Sequence, residues 1–176
     1  MKKIFKATAL LAGMAATGGI MAATDGVVSD TASTGTLEID VTVNDAVRIS
    51  GLADINATFD GTNDIDVSRT ACVYRNATGG NYAITGHGDG AGQAFTIDDS
   101  GAGGSTVVPY QVFWNGSATA LTANSQVTGL SGAHETSITC GGTPNSTVRV
   151  LIGATDLLSA PATTLLGTLT LIVAPQ

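Results

Sequence analysis

Thr34-Gly35-Thr36-Leu37-Glu38-Ile39-Asp40-Val41-Thr42-Val43 is the stretch on which the reading of this chain turns. Side chains of an extended backbone alternate faces, so Leu37, Ile39, Val41 and Val43 share one side while Glu38, Asp40 and Thr42 share the other. Such strict alternation predicts a half-buried strand. The residues before it, from Thr24 to Thr34, are mostly polar and have little to bury. The apolar face must therefore enter a sheet, either of its own domain or of a neighbour.

Upstream, Met1 to Ala23 opens with Lys2, Lys3 and Lys6, continues through an apolar run around Ala7 to Ala16 and ends in Ala22 and Ala23. This reads as a secretory signal peptide, too short and too poorly flanked for a membrane span. The mature chain is expected to be exported and soluble. Cleavage removes every lysine, leaving Arg48, Arg69, Arg75 and Arg149 against all fourteen acids, a net charge of −10. That surface repels phosphate backbones and anionic lipid, which argues against nucleic-acid binding and membrane insertion. The lack of lysine also excludes a Walker-type phosphate loop and a Schiff base.

Downstream, about 150 mature residues suffice for one domain with a real core. Gly, Ser, Thr, Asn and Asp are abundant, few stretches show helical periodicity, and Leu157 to Ala160 forms at most a turn or two. Strand candidates recur between turn signals: Val47–Leu52, Ile55–Phe59, Ile65–Tyr74, Tyr82–Thr85, Phe95–Ile97, Val107–Trp114, Ser125–Leu130, Thr136–Cys140, Thr147–Ile152 and Leu165–Val173. In Val107–Trp114 the residues Val108, Tyr110, Val112 and Trp114 share a face, and Pro109 places its start at a sheet edge. The pattern predicts an all-β sandwich. Three parts are expected: a signal peptide over 1–23, an N-terminal segment over 24–44 and a β-sandwich domain over 45–176.

Cys72 and Cys140 are the only cysteines, each within a strand candidate. In an exported chain a disulfide is the economical reading, ahead of a metal site that would want more ligands. No metal or cofactor is expected. Asp60, Asn63, Asp64 and Asp66 are dense enough in oxygen for calcium, but the spacing is not that of an EF-hand loop and a solvated turn explains it. His87 and His134 lie in Gly-rich loops without partners at ligand spacing. Asn56, Asn76, Asn115 and Asn145 head glycosylation patterns that chance explains in so Asn-, Ser- and Thr-rich a chain. Catalysis has no foothold: there is no Gly-x-Ser-x-Gly elbow, and the only glutamates are Glu38 and Glu135.

Several of these stretches together carry a resemblance. They are the signal peptide, the alternating Leu37 to Val43, Cys72-Val73-Tyr74-Arg75-Asn76 leading through Gly79-Gly80-Asn81-Tyr82 into Ile84, Val108 to Trp114, and Pro161 to Val173 with Gly167 to Val173 as its last strand. In spacing and character they resemble the spore coat protein U domain family, which includes the subunits of archaic chaperone–usher pili. The resemblance implies an immunoglobulin-like sandwich that is incomplete and is completed by a donated N-terminal strand from a neighbouring subunit. It implies a periplasmic chaperone, an outer-membrane usher and further copies of the pilin as partners, and a surface fibre serving adhesion and biofilm formation. Leu37, Ile39, Val41 and Val43 would fill the groove. Val47 and Ile49 of the first domain strand and Leu169, Leu171 and Val173 of the last would line it. The reading from another class is a self-contained secreted module that binds carbohydrate or calcium, with Leu37–Val43 as its own first strand.

Overall fold

The computed structural model describes residues 23–101, 103–161 and 163–176. The expected signal peptide, apart from Ala23, lies outside the described residues. Cα packing divides the chain into two units, Met1–Val43 and Asn44–Gln176.

Within the first unit, Thr24 and Thr36 form an isolated antiparallel bridge, each amide donating to the other's carbonyl. Gly26 and Gly35 allow this approach: a Cβ on Gly26 would lie 2.1 Å from the Ser33 hydroxyl, and one on Gly35 3.2 Å from the Thr24 carbonyl. The strand expected over Leu37–Val43 is not formed. A strand is held by ladder bonds to a second edge, and among the described residues no strand pairs with residues 37–43.

The second unit is nearly all β. Its strands are β1 (Val47–Ser50), β2 (Ile65–Arg75), β3 (Tyr82–His87), β4 (Thr96–Asp98), β5 (Val107–Pro109), β6 (Gln111–Trp114), β7 (Gln126–Leu130), β8 (Ser146–Ile152) and β9 (Thr170–Pro175). One short helix, α1 (Ala154–Leu158), follows β8. The strands pair antiparallel as a four-stranded sheet β1-β2-β8-β6, a three-stranded sheet β7-β3-β9 and the small pair β4-β5. The first order is A-B-E-D of an immunoglobulin-type sandwich, while β3 and β9 stand in the C and F places of the facing sheet.

Alternation builds the core. Val73, Tyr82, Ile84, Val108 and Val112 are almost fully enclosed, joined by Val148, Val150 and Ile152 of β8 and by Trp114. The fully enclosed Tyr82 hydroxyl has partners: Trp114 Nε1 and Asn115 Nδ2 donate to its oxygen at 3.0 and 3.1 Å. Cys72 and Cys140 are joined, with Cα atoms 5.8 Å apart.

Four strand expectations need correction. Ile55–Phe59 is not a strand; Ile55 and Phe59 still pack on the core, four residues apart. Val107–Trp114 breaks at Tyr110, whose amide donates to the Phe95 carbonyl, so β5 pairs β4 while β6 joins β8. Thr136–Cys140 is a turn, because side chains capture its backbone: His134 Nδ1 accepts from Thr136 N and Ser137 N, and Ser137 Oγ accepts from Gly141 N. Leu165–Val173 splits as well. Leu166 exchanges both backbone bonds with Asp98, and β9 begins only at Thr170.

Candidate functional site

The site the sequence points to is a pair of sheet edges. Among the described residues β1 pairs with β2 alone and β9 with β3 alone, so each is the last described strand of its sheet. Cα atoms of the two strands come within 8 Å, yet no ladder bond joins them among the described residues. In a constant-type sandwich the place beside F belongs to G. No described strand pairs with that side of β9.

Local sequence explains what lines these edges. In β1, Val47 and Ile49 are half-buried and pack on the core while Arg48 between them is exposed. In β9, Leu171 and Val173 are half-buried against the core and Ile172 faces outward, 44% exposed. Leu169 packs likewise, one residue before the strand begins. All five residues expected to line a groove thus sit on or beside the two edges, aimed at the core and incompletely covered. Unpaired edges with an apolar inner face invite a further strand.

The residues expected to fill such a groove are bare. Leu37, Ile39, Val41 and Val43 are 70, 80, 74 and 78% exposed. Fully burying such a side chain stabilises by roughly 1.5 to 3 kcal/mol.

Other candidates are consumed by structure. Asp60 accepts from Thr62 N, Asn63 N and Asn63 Nδ2, and those bonds, the Asn63 amide first, pull its carboxyl down to about 2. Asp64 accepts from Ala154 N, and Asp66 pairs with Arg149 at 2.7 Å. The oxygens read as a calcium alternative therefore serve three separate purposes. Among the described residues no group of three His, Cys, Asp or Glu could hold a metal ion. The side-chain amides of Asn76, Asn115 and Asn145 are each bonded within the domain. A half-open apolar cavity of about 190 Å³ lies between the end of β6 and β7, lined by Trp114, Ser117, Thr119, Ala120, Leu121, Val127 and Leu130. No described helix is long and apolar enough to cross a membrane.

Sequence reading missed one constellation. Arg75, at the end of β2, pairs with Asp45 at 2.7 Å, and Asn76 bonds to the backbone of Asn44 and Ala46. Its only sequence signal is that the mature chain holds four arginines, which leaves each one's partner open among fourteen acids.

No family model matches the chain, and no curated protein matches it. A solved structure does, at 14% identity with a TM-score of 0.53, over 74% of this chain and 41% of the other. It comes from work titled "Chaperone-tip adhesin complex is vital for synergistic activation of CFA/I fimbriae biogenesis". The likeness is one of fold. The chain spans less than half of that neighbour's length.

Proposed function

We propose that the chain is a structural subunit of a bacterial surface pilus, of the kind the resemblance to the spore coat protein U domain family implies. Residues 37–43 of one copy enter between β1 and β9 of the next, with Leu37, Ile39, Val41 and Val43 against Val47, Ile49, Leu169, Leu171 and Val173. A periplasmic chaperone fills the same groove beforehand, and an outer-membrane usher exchanges its strand for the subunit's. The contact is head to tail and does not close, so it propagates into a fibre at the cell surface.

One observation supports this above the rest. Among the described residues the sandwich ends on two neighbouring edges that pair with no further strand and carry half-covered apolar residues, while the same chain holds an alternating segment whose apolar side chains are all exposed. Each solves the other's problem: the strand satisfies the edges' main-chain groups, and the groove takes the apolar face out of water. The fimbrial source of the fold neighbour agrees with this reading.

The test is a gel of material sheared from native cells, loaded unheated and boiled without reductant. Separating subunits requires withdrawing a whole buried strand, so the contacts should open slowly. A ladder in the unheated lane that collapses to one band on boiling is expected. A monomer band in both lanes would sink the proposal and favour the self-contained binding module.

A further inference from the structure

The first three residues of the second unit, Asn44 to Ala46, are each bonded to the end of β2 or the residue after it. Asn76 Nδ2 donates to the Asn44 carbonyl at 2.8 Å, and the Ala46 amide donates to Asn76 Oδ1 at 2.6 Å. The Asn76 amide completes the set by donating to the Ala46 carbonyl at 3.2 Å. Between them, Asp45 takes a two-pronged bond from Arg75, Nε to Oδ1 at 3.1 Å and Nη2 to Oδ2 at 2.7 Å. The remaining guanidinium nitrogen, Nη1, donates to the Asn81 carbonyl. The Arg75 side chain is only 9% exposed and so has little room to reorient, whereas Asp45 is 41% exposed. Arg75 holds the Asp45 carboxyl below its usual range.

These bonds extend the β1–β2 pairing, which begins with Val47 opposite Arg75, through residues 44 to 46. A short polar connection at a surface is normally free to sample many backbone states. Here both ends of Asn76 and the fork of Arg75 remove that freedom. Lysine could not replace the arginine, because it presents a point charge and no fork.

We propose that Asp45, Arg75 and Asn76 form the stiff joint of the fibre, holding the root of the donated strand so that successive subunits keep a defined angle. This rests on the strand-donation reading above. In a head-to-tail fibre the bending between neighbours acts through the three residues that link each strand to its own domain. Clamped, they transmit orientation; released, they behave as a swivel.

Asn76→Ala and Asp45→Asn test this. Neither position belongs to the donated strand or the groove, and neither change touches the core. Fibres of both variants should form and keep the boiling-sensitive ladder, while their persistence length in electron micrographs falls by about twofold or more. In the purified Asn76→Ala subunit the Ala46 amide should exchange its hydrogen faster than in wild type. Unchanged fibre stiffness, or unchanged exchange at Ala46, would overturn the joint. Folded variants that yield no fibres would also overturn it, since the clamp would then serve strand delivery. If wild-type cells give no ladder, strand donation itself fails and the joint with it; a ladder with unaltered stiffness removes the joint alone.

Discussion

Replacing Ile39 by aspartate separates a donated strand from an internal one. Ile39 is 80% exposed in the free chain, so the change removes no packing there. The subunit's own stability should stay within about 0.5 kcal/mol of wild type, as for other surface substitutions. In the fibre the same position is expected to be enclosed. Loss of the isoleucine then costs roughly 1.5 to 3 kcal/mol, and placing a carboxylate in an apolar groove adds a few more. At least about 4 kcal/mol is lost at each junction, equivalent to about a thousandfold weaker association. Ile39→Asp should therefore abolish the boiling-sensitive ladder while the purified subunit melts at the wild-type temperature. Thr42→Asp places the same charge on the opposite face and should keep the ladder. A melting temperature that collapses in Ile39→Asp, or a ladder as abundant as wild type, would refute the reasoning.

Three further outcomes concern the domain. Replacing Cys72 and Cys140 together by serine opens a 68-residue loop and should cost about 4 kcal/mol in urea unfolding; a loss below about 1 kcal/mol would count against the chain-entropy account. Tyr82→Phe strips the acceptor from the buried Trp114 indole N–H and should destabilise by about 1 to 3 kcal/mol, while an unchanged urea midpoint would show that the indole finds another partner. Asp60, Asp98 and Asp45 all hold their protons less tightly in the fold than the usual aspartate value of 3.8, Asp60 down to about 2. Their stabilisation is complete above that usual value and is lost as pH falls through each lowered value, about 2 for Asp60, so the urea midpoint should decline from about pH 4 downward; a flat midpoint to pH 2 would contradict it.

How much of this was legible depended on how local the controlling interaction is. Ile65–Tyr74 and Thr147–Ile152 were readable because both serve one sandwich and alternate cleanly, and they became β2 and β8. The Cys72–Cys140 pairing followed from export and the lack of competitors. Thr136–Cys140 misled because its alternation is real, yet His134 and Ser137 capture the amides a strand would have used. Val107–Trp114 holds one apolar face throughout while changing sheets at Tyr110, which periodicity cannot register. The inward facing of Val47, Ile49, Leu171 and Val173 was legible for a simpler reason: edge strands obey the same alternation as inner ones, and only pairing order reveals that β1 and β9 have no second neighbour among the described residues. The Asp45–Arg75–Asn76 clamp spans 30 residues of sequence and has no periodicity to announce it.

The most direct measurement is photocrosslinking in native fibres with a benzophenone side chain in place of Ile39. Strand donation predicts a dimer-sized band that survives boiling, with the crosslinked peptide drawn from residues 47–50 or 169–175 of a second copy. An adduct confined to the labelled chain, or one to any other face of the domain, would contradict it.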